Sequence, residues 1–375
     1  MHLNCLQENL RQGLGIVQRA VATRTTLPIT QHVLIASDGG RIKLSATNLE
    51  IAISTWVGAE VEAEGGITIP ARLLTDFIGS LEPQTISVKT LEAGTGIEIK
   101  GDRTNATMHG ADAGEFPPIP TPTEGVVTQI SSKALRDAIR QVVFAAAFED
   151  SRPVLTGVNM HFEGEQVTLA AADGFRLAVH RAPLLTAVEE ELTAIVPART
   201  MAEVERLIEG DAPVDLVVNP QRSQVLFRLR DIEIVSQLIQ GTFPNYNQLV
   251  PTSKDTRAVV DLAELRRVTR TASIFAKDGS GIIRLRMEPG ENAPGHLTIS
   301  SRAEEIGDSE GQLEAQVEGG EGRIAFNSRY LTDVLGVLEK EKVALEMTSP
   351  SSPGVIRPVD DDAYVHVVMP MFVQW

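Results

Sequence analysis

Hydrophobic and polar positions along the chain follow two periodicities, which alternate in the same order three times. Apolar residues at helical spacing predict amphipathic helices at about 8–22, at about 132–147 and in a stretch that begins at Leu262. Short runs rich in β-branched and aliphatic residues follow each helix, and turn signals such as Gly39-Gly40 separate them. The pattern therefore predicts an α+β protein whose strands are mostly antiparallel.

The predicted strands are short and form similar sets in the three parts of the chain. They lie at about 32–36, 41–47, 50–57, 85–90, 96–100, 103–108, 157–162, 166–171, 176–180, 214–218, 224–229, 232–238, 281–287, 296–301, 343–348, 354–358 and 363–369. With many strands and few helices, each part is expected to form one sheet layer covered by a pair of helices.

One segment recurs in each third of the chain. It consists of the end of an apolar strand, a cap position, an arginine and a helix with one apolar face. The copies lie at 69–78, 196–204 and 326–335, and each contributes one arginine in the same place: Arg72, Arg199 and Arg329. This spacing is too long for a solenoid, whose repeats are roughly 20–50 residues, and indicates a repeated domain.

Two proline-containing segments, at 116–122 and from Phe243 to about Lys254, predict linkers because proline disfavours both helix interiors and central strands. They divide the chain into three domains of one kind, at 1–122, 123–253 and 254–375.

Composition narrows the class of protein. The chain is 42% hydrophobic but only 4% aromatic, so its cores are expected to be mostly aliphatic. A single cysteine, Cys5, cannot form an internal disulfide, which is typical of a reducing cytoplasm. No signal peptide is predicted, and no apolar run approaches about 18 residues, so no membrane partner is expected.

The net charge of −16 argues against nucleic acid as a partner only if charge is spread evenly, because non-specific binding requires lysine and arginine. The basic residues concentrate on or beside the predicted helices: Arg11, Arg19, Arg24, Arg72, Lys133, Arg136, Arg140, Arg199, Arg266, Arg267, Arg270 and Arg329. Acidic residues concentrate in turns and strands. A solvated helix face and a phosphate-binding surface both explain one such helix, but three equivalent basic helices favour the second interpretation.

Motifs of catalysis are missing from the sequence. It has no GxxxxGK[ST] phosphate loop, no HExxH and no paired cysteines, so no cofactor and no metal are expected. Asp360-Asp361-Asp362 is typical of a solvated loop. Asp173-Gly174 is explained more simply as a turn between strands than as a catalytic carboxylate. Nothing in the chain requires an enzyme.

Several motifs together resemble one family. Ala172 to Ala178 reads ADGFRLA, which resembles the ADGxRLA motif of the bacterial sliding clamps, the β subunits of DNA polymerase III. The segments TLPI, ATNLE, FPNY and VVMPM match the family in the same order, beginning at Thr26, Ala46, Phe243 and Val367. The resemblance spans the whole chain.

The resemblance implies a head-to-tail homodimer that closes into a ring, with helices lining the hole and sheets outside. Such a ring encircles double-stranded DNA without regard to sequence and tethers the polymerase during replication, as a non-catalytic accessory subunit of a DNA-directed DNA polymerase. It implies further partners that bind through a short peptide motif: the polymerase III catalytic subunit, the clamp loader, other polymerases and repair proteins.

The resemblance also implies site residues. Arg24, Arg199 and the basic helix residues fall where the family contacts DNA, and Glu149 stands where relatives often carry an uncharged DNA-contacting side chain. The partner-peptide cleft maps to Leu155, Ala172, Gly174, Phe175, Arg176, Leu177, Pro244, Gln248, Leu249, Val367, Val368, Met369, Pro370 and Met371, with Arg176 and Gln248 expected at its rim. The dimer edges map to Arg103 and Met108 on one side and to Ile274, Phe275, Glu304 and Glu305 on the other.

Two alternatives stand beside the clamp interpretation. One is a peptide-binding scaffold of three repeated domains that does not act on nucleic acid. The other, which the sequence favours less, is a hydrolase that uses Asp173 and a second acid. Retention on circular but not on linear DNA would separate a clamp from both.

Overall fold

The computed structural model describes residues 1–91, 94–149, 151–291 and 294–375. The helices within them are α1 Gln7–Val17, α2 Ala71–Ser80, α3 Ser132–Val142, α4 Ala198–Leu207, α5 Leu262–Asp278 and α6 Ser328–Val337. Helices α2, α4 and α6 begin where the repeated segment predicts, because the cap position and the apolar helix face are local signals.

The strands, in chain order, are β1 His2–Leu6, β2 His32–Asp38, β3 Arg41–Thr47, β4 Ile51–Val57, β5 Glu60–Ala63, β6 Gly66–Pro70, β7 Thr85–Thr90, β8 Gly96–Lys100, β9 Asn105–His109, β10 Ala111–Asp112, β11 Val126–Ile130, β12 Gly157–Glu163, β13 Gln166–Ala172, β14 Arg176–Pro183, β15 Leu192–Pro197, β16 Val214–Val218, β17 Gln224–Arg228, β18 Ile232–Gln237, β19 Thr256–Asp261, β20 Ile282–Glu288, β21 Gly295–Ala303, β22 Gly307–Gly319, β23 Gly322–Asn327, β24 Lys342–Met347, β25 Gly354–Pro358 and β26 Tyr364–Val368.

The described residues group into two units. Unit 1 comprises Met1–Lys133, Leu184–Glu190 and Glu203–Leu238. It contains a five-stranded sheet in the order β5-β1-β7-β8-β9 and a nine-stranded sheet in the order β10-β6-β2-β3-β4-β18-β17-β16-β11. Both sheets are antiparallel throughout, as the short turns between strands predict.

Unit 2 comprises Ala134–Pro183, Glu191–Ala202 and Ile239–Trp375. Its twelve strands form one sheet in the order β15-β12-β13-β14-β26-β25-β24-β19-β22-β21-β20-β23. Helix α5 packs on α6 and on β21 and β22 of this sheet.

The prediction of one sheet for each repeat is wrong. Strand β4 of the first repeat pairs with β18 of the second, and Ile51 lies opposite Ser236. In the same way β14 of the second repeat pairs with β26 of the third, and Arg176 lies opposite Val368. These pairings satisfy N–H and C=O groups that each repeat, folded alone, would expose at a sheet edge.

The predicted first helices of the repeats are too long in two cases. Helix α1 ends at Val17 and α3 ends at Val142, and a single turn of 3-10 helix follows each, at Gln18–Ala20 and Val143–Ala145. Apolar spacing continues through these turns, so periodicity alone does not show where the hydrogen-bonding pattern tightens.

The 13-residue strand β22 is absent from the predicted strands. Its buried residues Leu313 and Ala315 alternate with the exposed residues Gln312, Glu314 and Gln316. The strand is also rich in glycine and acidic residues, so its composition is typical of a loop. Strand β19 is also absent from the predicted strands, because it begins directly after the predicted linker, which ends near Lys254.

The cores are mostly aliphatic, as the composition predicts. In unit 1, α1 approaches the sheet so closely that a Cβ at Gly13 would lie 2.6 Å from Cγ2 of Val57 and 2.8 Å from Cδ1 of Leu44. Cys5 is buried and free, and burial raises the pKa of its thiol to about 12. Among the described helices, none is long and apolar enough to cross a membrane.

Candidate nucleic-acid surface and peptide cleft

The turn between β13 and β14 is built by the side chain of Asp173. Its Oδ1 accepts hydrogen bonds from the backbone N–H groups of Phe175, at 2.8 Å, and Arg176, at 3.0 Å. Gly174, between Asp173 and Phe175, has a φ of +96°, a conformation that residues with a side chain disfavour. The ADG part of the motif therefore forms a turn that fixes the direction of Arg176, two residues after Gly174.

Arg176 is buried, and each of the three nitrogens of its guanidinium donates a hydrogen bond. Nε donates to Oδ2 of Asp173 at 3.0 Å, Nη1 donates to Oδ2 of Asp333 at 2.7 Å, and Nη2 donates to the carbonyl oxygen of Phe144 at 2.6 Å. The guanidinium also lies 4.5 Å from the ring centroid of Tyr330. The expectation that Arg176 offers polar contacts at the cleft rim is wrong, because its side chain is only 2% exposed.

The same contacts argue against Asp173 as a hydrolytic carboxylate. Both of its oxygens already accept hydrogen bonds from the protein, two from backbone and one from Arg176. No group of three or more His, Cys, Asp or Glu side chains within the described ranges could hold a metal ion.

Two buried titratable side chains lie under Arg176, on β26. Burial, and to a smaller extent the nearby positive charge of Arg176, lowers the pKa of His366 to about 3. Burial also raises the pKa of Tyr364, whose hydroxyl lies 3.4 Å from Nδ1 of His366. Both side chains are therefore neutral, and the buried charge at this point is that of Arg176 with its two carboxylates.

The apolar residues of the predicted cleft gather on one face of the sheet in unit 2. Leu155, Leu177 and Val367 belong to a single buried cluster, and Leu177 lies opposite Val367 across β14 and β26. Ala172 packs against this cluster. These side chains are the buried floor of the predicted cleft.

The other residues of the predicted cleft, apart from Arg176 and Val368, are exposed or half-buried. Phe175, Leu249, Met369 and Met371 are large apolar side chains that are 58%, 52%, 43% and 37% exposed. Gly174, Pro244 and Gln248 are exposed, and Pro370 is half-buried. Such a pattern, an apolar floor with unpartnered apolar side chains around it, is typical of a binding surface.

Val368 does not join this cleft floor. Side chains alternate between the faces of a strand, and Val368 lies opposite Arg176 in the register, on the face opposite to Leu177 and Val367. The structure thus separates the predicted cleft residues into a floor and rim on one face and a buried pair, Arg176 and Val368, on the other.

The predicted basic residues differ in how exposed they are to solvent. Arg11, Arg24, Arg199, Arg267 and Arg270 are exposed. Lys133 is exposed and Arg136 is half-buried. Exposed guanidinium groups at the surface of helices can pair with phosphates without desolvation of a protein core.

Several of the predicted basic side chains pair with carboxylates. Arg19 pairs with Glu203 at 3.1 Å, Arg72 with Asp76 at 3.7 Å and Arg329 with Asp333 at 3.9 Å. Arg140 pairs with Asp137 at 3.6 Å and also contacts Glu339. These ion pairs are at least partly exposed, so each is expected to contribute little to stability.

Arg266 has a structural role in the fold. Its guanidinium donates hydrogen bonds to the carbonyl oxygens of Leu335 and Leu338, at the C-terminal end of α6, where helix carbonyls lack partners within the helix. Its predicted contact with DNA remains a prediction.

The residues predicted for the dimer contact lie on or before an edge strand, in a helix and in a turn. Strand β9 is the last strand of its sheet; Met108 in it is buried and Arg103 before it is exposed. In α5, Ile274 is 61% exposed and Phe275 is half-buried. Glu304 and Glu305 are exposed in the turn between β21 and β22.

Sequence reasoning missed the residues that hold Arg176. Asp333 and Tyr330 lie on α6, and Phe144 follows α3. One signal could have identified Asp333, because Thr332-Asp333 occupies the same place in the repeated segment as Thr75-Asp76.

Comparisons with known proteins agree with this arrangement. Family models of the DNA polymerase III beta subunit match the N-terminal domain at 1–120, the central domain at 129–245 and the C-terminal domain at 247–372. The beta sliding clamp of Synechococcus elongatus is 30% identical over 99% of both chains, and that of Bacillus subtilis is 28% identical over 99% of both.

Solved structures give the same result. The DNA polymerase sliding clamp of Bacillus subtilis superposes with a TM-score of 0.94, at 27% identity over 100% of both chains. The DNA polymerase III subunit beta of Pseudomonas aeruginosa superposes with a TM-score of 0.90, at 29% identity over 100% of both. The chain therefore belongs to the bacterial sliding clamps, the β subunits of DNA polymerase III, three-domain non-catalytic processivity factors of DNA replication.

Proposed function

We propose that two copies of the chain join head to tail into a ring that encircles double-stranded DNA and tethers the replicative polymerase. The observation that carries this proposal is a repeated mode of strand pairing. Within the chain, β4 pairs with β18 at one junction of repeats, and β14 pairs with β26 at the next. The last strand of one repeat thus joins the fourth strand of the repeat before it.

The same pairing has one further pair of candidates. By position in the repeat, β9 corresponds to β18 and β26, and the first part of β22 corresponds to β4 and β14. Strand β9 is the last strand of its sheet, and residues 307–315 of β22 pair with β21, while β19 pairs only with its far end. If β9 of one copy paired with β22 of another, the contact between copies would have the same form as the β4–β18 and β14–β26 pairings within the chain. Two such contacts close a ring when the rotation per subunit fits.

The interface residues support this geometry by their chemistry. Ile274 and Phe275 provide apolar surface beside the start of β22, and Met108 lies in β9. Glu304 and Glu305 carry charge opposite to that of Arg103. Interfaces combine such an apolar centre with charged residues at the rim.

DNA binding in this proposal is electrostatic and independent of sequence. The predicted basic residues lie on helices or beside them, while the chain as a whole carries −16, so phosphates would be attracted to the helix surface. The three domains proposed for the ring are 1–122, 123–253 and 254–375, and the proposed location is the cytoplasm.

The cleft on the sheet face of unit 2 is the proposed site for partner peptides. An apolar floor of Leu155, Leu177 and Val367 suits a short peptide with a few apolar anchors. Exposed Met369 and Met371 at its edge can adapt to more than one peptide. The proposed occupants are segments of the polymerase III catalytic subunit, the clamp loader, other polymerases and repair proteins.

Retention on DNA tests the ring. After loading on a nicked circular plasmid, the protein should stay bound through gel filtration in high salt, because a closed ring is held by topology. Cutting the plasmid once should release it. Release from the intact circle under the same conditions would show that binding is only electrostatic and would contradict the ring.

A further inference from the structure

A cavity of about 390 Å³ lies on the same sheet face of unit 2 as the cleft floor. The apolar part of its wall includes Val179, Val250, Val365 and Tyr246. Two arginines, Arg181 and Arg357, also line it. None of the residues predicted for the cleft lines it.

The cavity is nevertheless continuous with the cleft. Val179 and Val365 belong to the same buried cluster as Leu177 and Val367. They are also the next pair along β14 and β26 that points to this face, because alternate residues of a strand share a face. On β25, Val355 lies opposite Val367, so Arg357, two residues further on, comes beside Val365.

Charge distinguishes the cavity from the cleft. Arg181 and Arg357 both line it, and no acidic side chain among the described residues does. Arg181 is exposed and, within the described part of the chain, has no carboxylate within ion-pair distance. The positive charge of Arg181 also lowers the pKa of Tyr246, although burial raises it more.

Arg357 is only partly neutralised by the protein. Its Nε lies 3.4 Å from Oε2 of Glu346, and that Nε is buried without a hydrogen bond. Glu346 also faces Lys254 at 3.0 Å and Arg257 at 3.4 Å, so one carboxylate serves three cations. The acidic residues near Arg357, which are Glu346, Asp360 and Asp362, line a second cavity that Arg357 also lines.

An acidic side chain matches this arrangement. A carboxylate can accept hydrogen bonds from one or two guanidinium groups, and its methylene groups can pack on the valines. A strand rises about 3.3 Å per residue, so the step from Leu177 to Val179 corresponds to about two residues of an extended peptide. The acidic residue would therefore lie two or three positions beyond the nearest apolar anchor.

We propose that partner peptides of this chain carry acidic residues beside their apolar anchors, and that Arg181 and Arg357 bind those residues in this cavity. The inference rests on the peptide cleft of the proposed function and adds a determinant of specificity to it.

Three synthetic peptides test the proposal by fluorescence anisotropy with the full-length protein. All carry the same leucine and phenylalanine anchors; one has two glutamates before the anchors, one has two glutamates after them, and one has glutamines in all four positions. The two acidic peptides have the same net charge, so general attraction or repulsion affects them equally. One of them should bind about three- to tenfold more tightly than the glutamine peptide, a range that fits two partly exposed ion pairs.

Variants assign that advantage to the cavity. Arg181→Gln and Arg357→Gln should each reduce the advantage of the acidic peptide and leave the glutamine peptide unchanged. Arg286→Gln makes the same change in charge on the distant strand β20 and should alter neither.

The outcomes separate this inference from the cleft itself. If all three peptides bind equally, or if Arg286→Gln removes the advantage as well as Arg181→Gln does, the acidic site is wrong and the cleft stands. If no peptide binds, the proposed cleft is wrong, and the acidic site is overturned with it.

Discussion

Nη1 of Arg176 donates a 2.7 Å hydrogen bond to Oδ2 of Asp333, and this bond joins the turn before β14 to helix α6. Because the same guanidinium also pairs with Asp173, one buried cation holds two carboxylates from different repeats of the chain. The ADGFR segment is therefore a structural joint beneath the proposed cleft.

Arg176→Met should destabilise unit 2 strongly. It leaves Asp173 and Asp333, which are 14% and 29% exposed, without their shared cation, and removal of one partner from a buried ion pair costs about 3–5 kcal/mol. The midpoint of urea unfolding, followed by circular dichroism, measures the loss. Arg329→Gln is the matched control, because Arg329 is 70% exposed and 3.9 Å from the same Asp333, so this substitution should cost less than about 1 kcal/mol. If both variants lost the same amount of stability, Arg176 would not be the cation that holds Asp173 and Asp333 together.

His366 should make stability depend on pH. Its pKa is about 3 in the folded chain, against an ordinary value of 6.5, so between those values the unfolded chain binds one proton more than the folded chain. Stability is therefore complete above pH 6.5 and is lost as pH falls towards 3, by at most about 1.4 kcal/mol per pH unit from this group. Burial lowers the pKa of His180 too, which adds to the slope in the same direction.

His366→Phe isolates the contribution of this histidine. The variant cannot titrate at this position, and its ring can pack near Phe144, which lies 5.5 Å from the imidazole. Urea unfolding at several pH values between 4 and 7 should give a flatter dependence for the variant. The same slope in both proteins would mean that the charged form of His366 is tolerated in the fold.

The parts of the fold that could be predicted from the sequence are those that depend on residues close together along the chain. The starts of α2, α4 and α6 depend on residues within one turn of each other, and the repeated segment shows them directly. The merged sheets depend on pairings such as Ile51 with Ser236, between strands that no short turn connects. Hairpin signals report only neighbours along the chain, so they could not reveal which repeat edges join.

The candidate site also contains features that depend on local residues and could be predicted, and features that depend on distant residues and could not. Asp173 and Gly174 predict a turn because their chemistry is local, and the structure confirms it. The burial of Arg176 could not be predicted, because its partner Asp333 is 157 positions away. An arginine in a motif is equally compatible with a rim position and with a buried joint until the packing is known.

The proposed interface predicts a dimer that apolar-to-charged substitutions disrupt. Ile274→Asp together with Phe275→Asp should yield monomers in sedimentation velocity, because a buried unpaired carboxylate at the centre of an interface is strongly unfavourable. Leu185→Asp is a control of the same kind, since Leu185 is 57% exposed and lies outside the proposed interface. A double variant that still sediments as a dimer would show that the interface lies elsewhere.

Exposed and engaged arginines should differ in their effects on DNA binding. Arg24→Gln and Arg199→Gln remove exposed charges, so each should weaken binding equally on any DNA sequence and reduce the slope of log affinity against log salt by about 0.9 for each phosphate that the variant no longer neutralises. Arg266→Gln removes hydrogen bonds to the carbonyls of Leu335 and Leu338, so it should mainly lower the urea midpoint. Filter binding on two unrelated duplexes at several salt concentrations, beside urea unfolding of each variant, separates the two effects. A weakening that depends on DNA sequence, or an unchanged salt slope in both exposed variants, would show that these arginines do not face phosphates.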